Sequence, residues 1–357
     1  TGETRHLLEA VNKASAASNS AWLIHLALSA YFIVALASVS HTDLLLNSPI
    51  ALPIIGISIA LDRFFLFAPL FYILIHIGVM LQYVVLTRKV YAFLDVIERQ
   101  ERRLSAGSGE RHIHPLRYEL NSNMFVQFLA GPPQPRLIGF MQQVITWGSL
   151  VMLAAGVLIY FQIAFLPYHD TGISWAHRLY VLIDLGIVGL IGTFLPSPLT
   201  GFWASFFYGL RHYTLFFLTS VALFACFFAF SFFVASVPGD HIDETMAGIG
   251  PSVTVPAPSG DPALRRRVFL LTAWLFEGEV DPETGERNSP FQRNLVVMDR
   301  DLVNDASVSP GDISLSLRFR DLRYARLDRS DLKQADLRGA DLTGASLTGT
   351  ELLDARQ

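Results

Sequence analysis

The chain has 357 residues, 52% of them hydrophobic and only 16% charged, with 27 Phe. Soluble domains carry about 25% charged residues; here the deficit falls almost wholly in the first 236 positions, which speaks against a purely soluble fold. The formal net charge of −4 suggests no nucleic-acid partner, and the single Cys226, inside an apolar run, excludes a disulfide framework.

In chain order, residues 1–19 are polar and read as a cytoplasmic N-terminus with no cleavable signal peptide. The chain starts at Thr1 without Met and stops inside a repeat, as a trimmed product or a fragment would. A spanning helix needs about 20 mostly apolar residues. Within a membrane domain of 20–236, five stretches meet that need: 21–40, 64–86, 140–165, 175–195 and 213–236. Residues 49–61 are too short and are interrupted by Pro53. Ile55, Ile57, Ile59 and Leu61 alternate there with small residues, which predicts an extended segment on the membrane surface. After the second span, 87–104 reads as a charged amphipathic helix inside the loop 87–139. The aromatic stretch 201–210 is only ten residues long and is expected to lie along the interface or re-enter.

Lys and Arg in short loops set orientation. The loop 87–139 holds eight of them, against Arg63 alone in 41–63 and none in 167–174. The N-terminus is therefore expected inside, and five spans place the C-terminus outside, periplasmic in a bacterial inner membrane. Residues 237–264, with five Pro and four Gly, read as a flexible to semi-rigid linker. Arg266–Phe276 and Asn294–Val303 alternate like strands, so 265–310 is expected to cap the C-terminal tract.

Polar residues inside a membrane are costly, so each invites a functional hypothesis. His25 and His76 are the candidates for haem b ligation. Counted from the inner ends of their spans they stand at different depths, about 7 Å apart, which argues against a shared iron; no cofactor is predicted. Asp184 lies about two turns into the fourth span, with His177 and Tyr180 on its face. Asp62, Arg63, His169, Asp170 and Arg178 are assigned to the same outer boundary. Together they predict either an outward polar pocket suited to a proton, ion or small anion, or an interfacial salt-bridge network. The His spacing matches no metal motif, and no nucleophile with a visible base appears, so no enzyme activity is predicted.

The tract 311–357 has the most specific signal. Leu317, Leu322, Leu327, Leu332, Leu337, Leu342, Leu347 and Leu352 recur every fifth position, with Ala, Ser or Thr two places before each of the later ones. Neither a helix nor a flat strand gives that period a face, whereas a coil turning a corner every five residues does. The tract resembles the pentapeptide-repeat family, and that resemblance implies a right-handed, four-sided β-helix but no activity. Eight repeats at four per turn make two coils, so either the native chain continues or the last coil stacks on another molecule as a homo-oligomer. From Leu315 on, eight basic and seven acidic residues balance to 8 − 7 = +1, which discards mimicry of DNA.

The layout as a whole resembles bacterial membrane proteins with a multi-span region before a pentapeptide tract. Leu52-Pro53-Ile54-Ile55, Phe165-Leu166-Pro167-Tyr168-His169, Arg293-Asn294-Leu295 and Arg320-Asp321-Leu322 carry that likeness. The expected fold is an α-helical bundle of about five spans followed by a small solenoid. The expected function is a non-enzymatic scaffold, docking module or accessory subunit that meets the bilayer and a protein partner or larger membrane complex. The alternatives are a channel or carrier around Asp184, and a haem protein through His25 and His76.

Overall fold

The computed structural model describes residues 2–52, 56–108, 112–259, 261, 263–278, 281, 288–303 and 313–356. The expectations that rest on Pro53, Ile54, Ile55 and Arg111, and on 304–310 of the cap, lie outside these residues. Five helical segments are long and apolar enough to cross a membrane: Gly2–Ala37, Leu61–Ala106, Arg136–Tyr168, Thr171–Gly192 and Thr214–Val234. They correspond one for one to the five predicted stretches.

The chain divides into two units. The first comprises 1–33, 70–157 and 182–225. It holds most of helix α1 (Gly2–Ala37) and of the 48-residue α3 (Leu61–Ser108). It also holds α4 (Met124–Ala130), α5 (Arg136–Trp147), the second half of α7 (Thr171–Gly192), α8 (Phe202–His212) and most of α9 (Thr214–Ala229). Residues 2–19, expected as a separate polar terminus, instead continue α1. Leu8, Val11 and Ala14 of that stretch pack into a core with Val90, Phe93 and Ile97 of α3, which supplies the apolar face that keeps it helical. Asn123 caps α4 by accepting from the Phe125 and Val126 amides.

The second unit comprises 34–69, 158–181 and 226–357. Here the short α2 (His41–Leu46) opens on a capping box of Ser40 and Asp43. The segment expected to be extended is an antiparallel pair, β1 (Ile50–Leu52) with β2 (Ile57–Ile59), in the register Ile50↔Ile59. The unit continues through the last turns of α6 (Leu153–Phe165), the first turns of α7, and α10 (His241–Ile249). Strands β3 (Ser252–Pro256) and β4 (Arg265–Phe269) pair antiparallel, and α11 (Leu270–Phe276) follows.

Two expectations are corrected in this unit. Residues 237–264 are not a bare linker: Asp240 caps α10, Val237, Ala247 and Ala257 are buried, and Pro251 and Pro256 stand at the two ends of β3. The second half of Arg266–Phe276 is helix rather than strand, because Thr272, Ala273 and Phe276 bury one helical face.

Beyond residue 313 the chain forms no long strand, but single-residue parallel bridges recur with a fixed offset. Ser316↔Asp336, Asp321↔Asp341, Arg326↔Ser346, Asp331↔Glu351 and Asp336↔Arg356 each join positions twenty apart. Four pentapeptides therefore make one coil. Val296↔Arg326 and Asp301↔Asp331 extend the ladder backwards, so Asn294–Val303 stacks as a preceding coil whose Leu295, Val297 and Val303 are buried. The leucines from Leu317 to Leu337 are buried; Leu342, Leu347 and Leu352 on the last coil are only half-buried. Every corner is left-handed, two places after each leucine: φ is +56° at Phe319, +58° at Tyr324, +55° at Arg329 and Gln334, then about +70° at Gly339, Gly344 and Gly349. The twenty-residue offset puts the Phe319 ring over Gly339 and the Tyr324 ring over Gly344, where a Cβ would stand 2.5 and 2.7 Å from the respective rings. Gly339 and Gly344 are thus favoured by the left-handed backbone and required by the ring above each.

Candidate functional site

Three interruptions of the long apolar helices govern where the polar side chains go. A backbone group freed in an apolar interior must find a partner. In the second unit Pro69 has no N–H to offer and stands inside α3. The carbonyl of Phe65, four residues earlier, accepts instead from His177 Nε2 at 2.8 Å, and that of Leu66 accepts from the Tyr180 hydroxyl at 3.0 Å. A π-helical turn at Phe230–Val234 leaves the Ser231 carbonyl to Gln162 Nε2 at 2.8 Å and to Arg178 Nε at 3.4 Å. Arg178 lies over the Trp175 ring, with Asp240 3.9 Å from its Nη1.

The third interruption lies in the first unit. A π-helical turn at Gly148–Met152 joins α5 to α6, and π-turns are frequent at functional positions. The Leu150 carbonyl there is 2.6 Å from His76 Nε2, and the other ring nitrogen of His76, Nδ1, is 2.6 Å from Asp184 Oδ1. His25 stacks on His76 with centroids 5.1 Å apart and planes at 17°, and Tyr72 stacks on His25 at 5.4 Å. Ser29 Oγ donates to the His25 carbonyl at 2.7 Å, so the Tyr72 hydroxyl, also 2.7 Å away, donates to Ser29. His25, Ser29, Tyr72, His76 and Asp184 are all buried.

This geometry corrects two expectations. Depth counting set His25 and His76 apart because the first span was started at residue 21; α1 starts at Gly2, and the two rings meet. Haem ligation gains nothing from that meeting. Rings stacked face to face leave no room for a macrocycle between them, and both nitrogens of His76 are already engaged. Asp184, expected beside the outer residues, is bonded to His76.

The outer residues have local partners of their own. Asp62 pairs with Asn47, whose side chain it accepts from at 3.3 Å and to which it donates its amide at 3.1 Å. Asp170 Oδ1 caps α7 by accepting from the Ile173 amide, and Arg63 is exposed. His169 is buried and donates from Nε2 to the Arg293 carbonyl at 2.8 Å, while its Nδ1 faces Asp321 Oδ1 at 3.5 Å. They sit at helix ends and, for His169, in a seat for the repeats.

That seat is the second candidate site. Arg320 occupies the register position where Ala, Ser or Thr stands in the later repeats, and its guanidinium lies 3.9 Å over the Tyr168 ring. It also reaches the Leu44 and Leu45 carbonyls at 3.4 Å, acceptors orphaned at the C-terminal end of α2. Arg323 bonds the Gly239 carbonyl at 3.0 Å, and His41 Nδ1 accepts the Val296 amide at 2.8 Å. Beneath the seat, buried Arg293 donates to Asp243 at 2.8 Å and to Glu277 at 2.9 Å, and Arg266 pairs with Glu277. Burial alone would lower the Arg293 pKa, but the two carboxylates outweigh it and hold it above the ordinary value. Sequence reasoning missed Arg293, Asp243, Glu277 and Arg266, because a charge that will be buried by tertiary packing looks like any surface charge. Arg320 was detectable as the break in the small-residue register.

Away from the seat, Phe319 is 76% exposed, the Arg318 guanidinium stands 5.4 Å from its ring, and Arg338 is exposed in the same stack. Both arginines approach Asp336, at 3.7 and 2.6 Å.

Residues 316–355 match pentapeptide repeats in eight copies. No curated protein and no solved structure matches the chain.

Proposed function

We propose that this is a multi-pass protein of a bacterial inner membrane, N-terminus inside. Its C-terminal tract is a short right-handed, four-sided β-helix, held outside the membrane as a docking module for a protein partner. On this reading it is an accessory subunit or scaffold of a larger membrane assembly rather than an enzyme. The observation that carries the proposal is the exposed Phe319 flanked by Arg318 and Arg338, on a tract pinned elsewhere by Arg320, Arg323 and His169. Aromatic and Arg side chains are the residues that dominate binding energy at protein interfaces. A tract whose other residues are anchored to the helix ends presents them without the entropy cost of a free tail.

A photo-crosslinking residue placed at Phe319 in native membranes tests this. One discrete protein adduct is expected, lost on Arg338→Glu and retained on Arg99→Glu, a change far along α3. Absence of any adduct, or one indifferent to Arg338→Glu, would remove the docking role.

A further inference from the structure

We propose that His76 and Asp184, with His25 stacked beside them, form an exchangeable proton-binding site inside the helix bundle. The argument begins with the Leu150 carbonyl, which can only accept. At 2.6 Å it requires a hydrogen on His76 Nε2. The opposite nitrogen, Nδ1, is then 2.6 Å from Asp184 Oδ1. If neither atom carried a hydrogen, a lone pair would face a carboxylate oxygen at that distance, which is repulsive. One more proton therefore sits between them. It rests on Nδ1, giving an imidazolium–carboxylate pair, or on Asp184, giving two neutral groups. The total charge of the pair is zero in either arrangement, so the proton shifts between them without moving net charge through an apolar medium.

The two other interruptions differ from this one. His177 and Gln162 each settle freed carbonyls, and neither has a carboxylate bonded to it. At His76 the carbonyl is satisfied and a shared proton remains. Around it stand three buried polar atoms with no close hydrogen-bond partner: Asp184 Oδ2 and the two ring nitrogens of His25, beside which only the Ser149 carbonyl stands as a weak acceptor. Buried polar groups are normally partnered, and each exception calls for an explanation. A site that must accept and give up a proton supplies one, since its acceptors stay open. Uptake of one proton places it on Asp184 Oδ2 or on a His25 nitrogen and leaves the cluster at +1. Release removes the shared proton and leaves it at −1.

The groups facing the pair from each packed element are His25 and Ser29 on α1, Tyr72 on α3, and the carbonyls of the π-turn. Among the described residues no lysine or arginine is ion-paired with Asp184. No fixed cation therefore competes with His76 for the carboxylate. Because His76 bonds the π-turn and α7 at once, a change in its proton content alters how three helices are held.

Infrared spectroscopy of the full-length protein in phosphatidylcholine/phosphatidylglycerol nanodiscs, titrated between about pH 4 and 10, reads this site directly. A reversible, deuterium-sensitive carboxyl or imidazole band is expected. It should vanish in Asp184→Asn, persist in Asp170→Asn, and shift its midpoint by about one pH unit or more in His25→Phe, a tenfold change in proton affinity. A wild-type spectrum with no such titration overturns the proposal without any variant. Should Asp184→Asn fail to fold, Asp184→Glu keeps the test open: an unmoved midpoint in both Asp184→Glu and His25→Phe would equally overturn it.

Discussion

The guanidinium of Arg320 lies 3.9 Å over the ring of Tyr168, which joins the first complete coil of the repeats to the turn between α6 and α7. Two carbonyls at the end of α2 complete its surroundings. A planar cation suits this place because it stacks and donates at the same time. Arg320→Lys keeps the charge and loses the plane. It is expected to weaken the seat by about 1–2 kcal/mol, read as earlier unfolding of the repeat tract in urea and faster proteolysis between 290 and 315. An Arg320→Lys protein as resistant as the parent would show that the stack contributes nothing.

Gly339 tests the coil. Its φ of +72° strains a β-branched side chain, and the Phe319 ring stands 2.5 Å from where a Cβ would be. Gly339→Val is expected to cost about 2–4 kcal/mol from left-handed strain and overpacking together. Phe319→Ala in the same chain should return only the overpacking part, so a double-mutant cycle in chemical denaturation should show positive coupling. Strict additivity would place Phe319 elsewhere.

Arg293 tests the buried charge network. Removing it in Arg293→Met strands Asp243 and leaves Glu277 to Arg266 alone, which is expected to cost about 3–5 kcal/mol. Adding Asp243→Asn should recover a large share, because the penalty comes from uncompensated charge, whereas Glu277 keeps Arg266. Thermal unfolding of the three proteins decides the matter, and no recovery would mean that Arg293 acts through packing alone.

His41 gives the seat a pH dependence. Burial lowers its pKa from the usual 6.5 to about 4, and its Nδ1 must stay unprotonated to accept the Val296 amide. The unfolded chain binds a proton in this range and the folded one does not. The contribution is therefore complete above about pH 6.5 and is lost as pH falls toward about 4. Unfolding temperature should drop between pH 7 and 5, and His41→Gln, whose amide oxygen still accepts, should flatten that drop. An equal slope in both proteins would exclude His41.

Much of the fold was legible in the sequence, and the reasons for the rest are physical. Eight leucines at a period of five announced the coil, and five apolar stretches announced five long helices, since both signals are local. His76 and Asp184 stand 108 positions apart, and neither position predicts the other. The π-turns at 148–152 and 230–234 contain no proline to mark a break. Pro69 did mark one, but which side chain would answer Phe65 required the fold. Arg320 broke the small-residue register in plain view.

The repeats are seated on the end of α2 and the turn between α6 and α7 rather than loosely tethered to them. Spin labels at exposed Leu46 and Leu353, in a Cys226→Ser background, measure it by double electron–electron resonance in nanodiscs. A single narrow distance distribution, broadened by Arg320→Ala combined with His169→Ala, is the expected result. A broad distribution in the otherwise unmodified protein would contradict the seat and with it the docking module.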